Sequence, residues 1–398
     1  MNASKERAIA AIDAYTDELK QLSHEIHENP EIAFTEHRSA ALIAELLRRH
    51  GYRVDMGLGG LETAFIATRE GKRAGPHVAF LAEYDSLPGI GHGCGHNIIA
   101  TCATGAFLGI ASIIDTLDGK VSIIGTPAEE SGAGKVILLE AGAFDGVDFA
   151  LMMHPTSGKS IIKRGGRAAT TVEITFHGKS AHSSAPGMGI NALAAVIGTF
   201  QNVDMLRPTF EMQDNVNGVI MKGGTAANVI PDEAACTFSL RSRTLLDLRA
   251  LVEKVKRAAQ SAALLTGATH EISVHRMYAE RYPNGPMCEA FRENMSMLGE
   301  DMGYPDPNVM YGSSDVGNVS IKLPAIHDYL WIAGEEVNSH SKEFAEAAIS
   351  PRADEVCIKG AKGLAMTAAD ILSSTDFQAK IKEFHQEQIP SEYLHEGK

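Results

Sequence analysis

Apolar and polar positions alternate in two different ways along the chain, and the change between them divides the sequence. Before Gly165, short continuous apolar runs alternate with stretches of helical periodicity. Continuous apolar runs are typical of strands buried on both faces, and helices between such strands favour an α/β sheet covered on both faces. The predicted strands are 78–82, 121–125 and 149–153, and the predicted helices are 9–29, 36–50, 97–114 and 134–141.

The pattern changes after Gly165-Gly166. Residues 171–177 alternate with period two, which is typical of a half-exposed antiparallel strand. The elements that follow have the order βαββαβ, which predicts a ferredoxin-like α+β sandwich. The α/β character resumes near residue 279. We therefore predict a larger mixed-sheet domain made of residues 1–167 and 279–398, with a small domain, 168–278, inserted into it.

Composition limits the classes of partner. The chain has 398 residues, 22% of them charged, and a formal net charge of −14, so binding to nucleic acid or to an anionic membrane is not expected. No signal peptide is recognised, and no apolar run approaches the ~20 residues of a membrane span. The five cysteines are odd in number and scattered, which argues against a disulfide framework. We expect a cytoplasmic protein.

Potential metal ligands follow predicted strands at four places. In α/β sheets, ligands bind outside the carboxyl ends of the strands, so these side chains are expected to converge. Each place alone is weak evidence, because His154 or His340 by itself is more often a structural histidine. The four places are Glu83-Tyr84-Asp85 with the loop that follows it, Glu129-Glu130, His154 and His340.

Cys94 and His96 are two residues apart in a glycine-rich loop. In an extended segment, such residues face the same side, so a thiolate and an imidazole could share one ion. Together with carboxylates, these ligands suit zinc or a similar divalent ion. The alternative is a packed cysteine and a hydrogen-bonded histidine, because buried free cysteine is common.

Glu129 and Glu130 are adjacent, and neighbours in an extended segment point in opposite directions. One carboxylate could therefore bind metal while the other takes a proton from a nucleophilic water, as metal-assisted hydrolysis requires. The alternative is an acidic pair at a helix N-terminus, where the helix dipole favours carboxylates.

The combined motifs resemble the aminoacylase and glutamate-carboxypeptidase family of metallopeptidases, in its amidohydrolase branch. That branch includes hippurate hydrolase, p-aminobenzoyl-glutamate hydrolase and Xaa-Arg dipeptidase-like proteins. The resemblance covers nearly the whole chain. The motifs that carry it are HENPE at 27–31, AEYDSLP at 82–88, CGH at 94–96, AEE at 128–130, MHP at 153–155, GKSAH at 178–182, NVIPD at 228–232, GSSDVGN at 312–318 and SHS at 339–341.

The resemblance implies a metal-dependent hydrolase that cleaves one amide bond of a small N-acyl amino acid, aminobenzoyl-amino acid or dipeptide. It implies Glu129 as the general base, Asp85 as the partner that orients a metal-binding histidine, and His182 as an oxyanion stabiliser. The inserted domain would be a lid and dimerisation domain of a homodimer, with Asn228 and Arg241 binding substrate. Two divalent ions, with Zn or Mn favoured and Co or Ni tolerated, would be held by Cys94, His96, Glu130, His154 and His340.

Other interpretations remain open at this point. A catalytically silent metal- or peptide-binding protein could use the same fold, since fold does not fix function. A metal-dependent deaminase fits less well, because the Pro-Cys-x-x-Cys half of its signature is missing. Lys163, Arg164 and Arg167 flank the predicted domain boundary. These residues either form a solvated turn or attract an anionic substrate locally.

Overall fold

The computed structural model describes residues 2–309 and 311–394 and contains two compact units. The first unit combines Met1–Gly165 with Arg281–Lys398, and the second unit is Gly166–Glu280. Within the described ranges, no helix combines the length and the apolar character needed to cross a membrane.

The first unit is built on a mixed sheet of six strands. Strands Lys120–Gly125, His77–Ala82, Phe149–Ser157 and Ala325–Ala333 are neighbours in this order and run parallel to one another. Strand Phe65–Glu70 pairs antiparallel with Lys120–Gly125, and strand Val54–Met56 pairs antiparallel with Phe65–Glu70. In spatial order the strands are Val54–Met56, Phe65–Glu70, Lys120–Gly125, His77–Ala82, Phe149–Ser157 and Ala325–Ala333.

Alternate side chains of the central strands enter two separate apolar clusters. Val78 and Phe80 belong to one cluster, whereas Ala79 and Leu81 belong to the other. Because successive strand residues point to opposite faces, a strand buried on both faces needs apolar residues at every position. This explains why the sequence has a continuous apolar run here and not an alternating one.

Helices cover this sheet, and one of them differs from the sequence prediction. The single helix predicted over 9–29 is wrong, because the chain turns at Tyr15, whose ring packs edge-on against His50 with centroids 4.5 Å apart. The α-helices of the first unit are Ala3–Ala14, Thr16–Glu28, His37–Arg49, His96–Ala111, Glu129–Gly132, Gly134–Glu140, Gly285–Met297, Val316–Lys322, Lys342–Ala347, Pro351–Ser373, Thr375–Gln388 and Ser391–Leu394.

The second unit has four antiparallel strands and two long helices. Numbered along the chain, the strands lie in the order 4-1-3-2, which is ferredoxin-like. The mixed α/β fold class is therefore confirmed. In spatial order the strands are Thr269–Val274, Ala168–His177, Glu233–Ser242 and Asn215–Lys222; the helices are Ala192–Leu206 and Leu245–Thr266, and Ala181–His182 pairs with Val229–Ile230 as a separate short ribbon.

Candidate metal centre

The glycine-rich loop is a tight turn that ends in a helix, not the extended segment that the sequence suggested. Gly95 has a φ of 74° and precedes His96, the first residue of helix His96–Ala111. A side chain at position 95 would be strained by this φ, and its Cβ would lie 2.6 Å from Cγ of Pro155. Cys94 and His96 are therefore brought together by a turn that only glycine makes easily.

Asp85 connects two parts of the centre. Its Oδ1 lies 2.9 Å from Nδ1 of His96, and its Oδ2 accepts a 2.9 Å hydrogen bond from the backbone N–H of Glu130. Both Asp85 and His96 are buried. Since Nδ1 is committed to Asp85, the ring presents Nε2 to the centre, as a metal-binding histidine requires.

Glu129 and Glu130 also depart from the extended geometry. They begin the short helix Glu129–Gly132, directly after Ala128 at a φ of 60°. Helical neighbours are separated by about 100°, so they need not point in opposite directions. Ligand atoms of His96, Glu129 and Glu130 all lie within 4.8 Å of one another, so both carboxylates face the centre.

The last two candidate ligands come from a strand and a distant loop. His154 lies inside the strand Phe149–Ser157 and not at its end, and its Nε2 is 3.5 Å from Sγ of Cys94. Its Nδ1 lies 2.6 Å from the carbonyl oxygen of Pro155. His340 has a φ of 64° and donates its backbone N–H to the carbonyl of Gly93 at 2.8 Å. This bond ties the distant loop to the glycine-rich turn.

Two ligand groups share the same cysteine. Ligand atoms of Cys94, His96 and His154 lie within 4.8 Å of one another, and so do those of Cys94, Glu130 and His340. Nε2 of His96 and Oε1 of Glu130 are buried and have no hydrogen-bond partner among the described residues. Buried polar atoms without a partner are rare and costly, so these atoms fit a role as ligands of a cation.

Burial and neighbouring charges shift the protonation of the centre. Burial, followed by the charges of Glu83 and Glu130, raises the pKa of Glu129 well above its usual range. Burial, followed by His96, lowers the pKa of His154 well below its usual range. A carboxylate that holds a proton more readily suits a general base, and a neutral imidazole suits a metal ligand.

A buried charge network beside the centre was not predicted from the sequence. Nζ of Lys135 lies 2.5 Å from Oε1 of Glu83 and 2.8 Å from Oδ1 of Asp315. Carboxylate oxygens of Glu83, Glu129 and Asp315 lie within 4.8 Å of one another. Glu83 was among the candidates that the sequence placed at strand ends. Nothing in the sequence indicates that Lys135 is buried, because lysines are ordinarily exposed.

The other predicted substrate residues lie in the second unit. His182 is exposed, and its Nδ1 lies 2.8 Å from Oγ of Ser184. Asn228 is close by, because its carbonyl accepts a 3.0 Å hydrogen bond from the backbone N–H of Ser183. Arg241 is partly buried on the strand Glu233–Ser242.

Comparisons with known proteins relate this chain to peptidases and amide hydrolases. Residues 164–266 match the family model described as a peptidase dimerisation domain. Xaa-Arg dipeptidase from Mus musculus is 36% identical over 92% of this chain and 89% of its own length. One of the subunits of p-aminobenzoyl-glutamate hydrolase from Escherichia coli is 29% identical over 73% of this chain and 64% of its own length.

Solved structures show the same fold. A dinuclear metal-binding peptidase of the M20 family from Bacillus subtilis has a TM-score of 0.67 at 24% identity, covering 90% of this chain and 99% of that one. The aminobenzoyl-glutamate utilization protein from Klebsiella pneumoniae has a TM-score of 0.74 at 20% identity, over 90% and 97%.

Fold, ligand groups and relatives together define a metal-dependent amide hydrolase with an inserted dimerisation domain. The chain belongs to the M20 peptidase family. The resemblance found in the sequence is thereby confirmed.

Proposed function

We propose that the protein hydrolyses one amide bond of a small dipeptide or N-acyl amino acid, with Glu129 as the general base. The observation that supports this most directly is the sharing of Cys94 between two ligand groups, with the carboxylate of Glu129 beside them. Such an arrangement suits two ions held side by side, with a proton acceptor next to them.

Two divalent ions fit the donor set. Cys94, His96 and His154 would hold one ion, and Cys94, Glu130 and His340 the other. A thiolate, imidazoles and a carboxylate favour zinc, and manganese, cobalt or nickel are tolerated. The bound ions would supply Lewis acidity, which lowers the pKa of water and polarises a carbonyl oxygen.

The protein's own residues would manage the protons and the substrate. Glu129 takes a proton from the attacking water at its carboxylate and returns it to the leaving amine nitrogen. Asp85 keeps Nε2 of His96 directed to the centre through its bond to Nδ1. His182 stabilises the oxyanion that forms on the substrate carbonyl, and Asn228 and Arg241 bind the rest of the substrate.

The substrate class is tested with a small panel chosen from the relatives. Metal-free protein is reloaded with Zn, Mn, Co or Ni, and release of free amine is measured from alanyl-arginine, p-aminobenzoyl-glutamate and N-acetylcysteine. We expect metal-dependent turnover, with alanyl-arginine favoured, because two relatives at 36% and 34% identity are Xaa-Arg dipeptidases. A folded, metal-loaded protein that cleaves none of these would instead support the catalytically silent alternative.

Removal of the shared cysteine is expected to empty the centre. We expect Cys94→Ala to lower bound metal from about two ions per chain to well below one, because Cys94 belongs to both ligand groups. Metal content is measured by elemental analysis after gel filtration. Cys236→Ala, a buried cysteine of the second unit, is the matched control and should keep its metal. Equal metal content in the two variants would contradict the proposed ligand set.

A homodimer is proposed to form through the second unit. Strand Asn215–Lys222 is at the edge of its sheet, and no other strand among the described residues pairs with the outer side of its backbone. Val219 and Met221 of this strand are 54% and 65% exposed. Exposed apolar side chains on an edge strand favour pairing with a second copy.

Sharing of the active site within that dimer has a direct test. We expect Glu129→Gln and His182→Ala, each inactive alone, to regain turnover when the two chains are mixed and reassembled, because the mixed dimer contains one intact site. The control is the same mixture with Val219→Glu and Met221→Glu in both chains, which should stay monomeric and inactive. Mass spectrometry verifies the mixed dimers. Absence of rescue in verified mixed dimers would place His182 in the site of its own chain.

The proposed location is the cytoplasm. All five cysteines are free, and four of them are buried and unreactive in character. Free cysteines without disulfides fit a reducing compartment.

A further inference from the structure

Glu36 is a buried carboxylate that the proposed function does not use. The residue is 0% exposed, and its carboxylate accepts three hydrogen bonds from neutral donors. Oε1 accepts the backbone N–H groups of Phe34 and Ala128, both at 2.9 Å, and Oε2 accepts the hydroxyl of Thr63 at 3.0 Å. No cation pairs with this carboxylate among the described residues. Burying a carboxylate without a cation is costly, so its hydrogen bonds need a specific explanation.

Capping of the neighbouring helix does not explain this carboxylate. Glu36 is the N-cap residue of helix His37–Arg49, but its side chain makes no capping hydrogen bond. Glu31 bonds the first turn of that helix instead, because its Oε1 accepts the N–H of Arg38 at 2.9 Å and its Oε2 accepts that of Ser39 at 2.8 Å. The side chain of Glu36 therefore acts away from its own helix, on a backbone N–H 92 positions later in the chain.

The distant residue that Glu36 bonds is the turn residue of the metal centre. Ala128 has a φ of 60° and directly precedes Glu129 and Glu130. A left-handed conformation is unfavourable for a residue with a Cβ, so it persists only where the surroundings fix it. On the other side of Glu129, the N–H of Glu130 is bonded by Asp85 at 2.9 Å. Two buried carboxylates, Glu36 and Asp85, thus fix the backbone on either side of Glu129.

The second residue bound to Oε1 is consistent with the same role. Phe34 has a φ of 64°, so one oxygen accepts the N–H groups of two left-handed residues that are not glycine. The ring of Phe34 lies against Gly132, the last residue of the short helix that Glu129 begins, where a Cβ would lie 2.5 Å from two ring carbons. Both segments that Glu36 bonds therefore adjoin the helix that carries the proposed base.

We propose that Glu36 is a positioning residue, which holds Ala128 in the left-handed conformation and thereby directs Glu129 and Glu130 into the metal centre. The carboxylate acts through the backbone of Ala128, and it touches neither a ligand atom nor the reacting atoms. The inference rests on the proposed function, because the two side chains that it directs are the proposed base and a proposed ligand.

The first test measures metal affinity and needs no turnover. Glu36→Met keeps an unbranched side chain of similar length but accepts no hydrogen bond. We expect its affinity for Zn, measured by competition with a chromogenic chelator, to fall by about 10- to 100-fold, the range for losing a residue that orients a ligand. Glu36→Gln keeps Oε1 as an acceptor for both N–H groups and should retain near-wild-type affinity. At saturating metal, Glu36→Met should still have a lower kcat, because Glu129 moves with Ala128.

A spectrum reports the ligands directly. The visible absorption of bound cobalt depends on its ligands and their geometry. We expect this spectrum to change in Glu36→Met and to stay like that of the wild type in Glu36→Gln. Glu31→Gln is the matched control, because it alters a carboxylate of the same segment that bonds only the first turn of helix His37–Arg49. Its metal affinity and cobalt spectrum should not change.

A second substitution tests the left-handed turn itself. Glycine adopts positive φ readily, so adding Ala128→Gly to Glu36→Met should recover part of the lost affinity. Ala133→Gly in the same background is the control, because Ala133 also has a positive φ, 53°, but lies at the far end of the short helix. It should recover none of the affinity. Equal recovery with the two glycines would indicate general stabilisation and would overturn the inference.

The inference is also overturned if folded Glu36→Met keeps the wild-type affinity and cobalt spectrum, or if Glu36→Gln loses as much affinity as Glu36→Met. If Glu36→Met does not fold, Glu36→Asp takes its place, because it keeps the charge but shortens the reach to Ala128. The same loss of affinity is then expected, and unchanged affinity contradicts the proposed role. Affinity and spectrum are read without a substrate, so they test Glu36 even if no panel substrate is cleaved.

Discussion

Glu129→Gln is expected to reduce kcat by about 10²- to 10⁴-fold, the range that proton transfer by a positioned side chain contributes. Glutamine keeps the shape of the side chain but cannot accept the proton of the attacking water. Metal content is expected to stay near the wild-type value, because neither ligand group that contains Cys94 includes Glu129. Turnover and metal content are measured on the same preparation.

Glu130→Gln is the matched comparison for this experiment. It changes the adjacent carboxylate in the same short helix, and Oε1 of Glu130 lies 3.7 Å from Nε2 of His96 and 3.6 Å from Nε2 of His340. We therefore expect this variant to lose both metal and turnover. Near-normal turnover in Glu129→Gln would remove Glu129 from its role as base. Loss of metal in Glu129→Gln would instead indicate that Glu129 is a metal ligand.

The parts of the site that could be predicted are those that depend on strand order. A continuous apolar run ends at Ala82 and another at Gly125, and the side chains that follow them meet at one edge of the sheet. Parallel strands force this convergence whatever the loops do. For this reason candidate residues at these strand ends could be proposed from the sequence, and the fold class could be predicted from it.

The local geometry of the site could not be predicted in the same way. The extended interpretation of Cys94 and His96 failed because Gly95 takes a left-handed conformation and starts a helix. The same interpretation failed for Glu129 and Glu130, because Ala128 turns the chain into a helix. A non-glycine residue with positive φ is held there by its surroundings, and a local sequence pattern does not contain those surroundings.

Lys135 is the clearest case of information that only the fold supplies. Its side chain is fully buried, and its partners come from positions 52 residues before it and 180 residues after it. Asp315 also accepts the backbone N–H of Lys135 at 2.9 Å. A buried lysine is costly unless it is paired, so the network depends on three segments that meet only in the folded chain.

We therefore expect Lys135→Met to lower the free energy of unfolding by about 3–5 kcal/mol, the cost of removing one partner from a buried ion pair. Glu83 and Asp315 would then face each other without the ammonium between them. Urea unfolding, followed by the fluorescence of Trp331, measures the change. Lys382→Met is the control, because its pair with Asp148 is half-exposed and should contribute only about 0–1 kcal/mol.

The same substitution is expected to impair turnover as well as stability. The carboxylates that Lys135 neutralises lie within 4.8 Å of the carboxylate of Glu129, so their uncompensated charge would disturb the proton acceptor. Adding Glu83→Gln and Asp315→Asn to Lys135→Met removes that charge and should restore part of the lost stability, because the repulsion disappears with it. If Lys135→Met and Lys382→Met destabilise the protein equally, Lys135 does not hold these buried carboxylates together in solution.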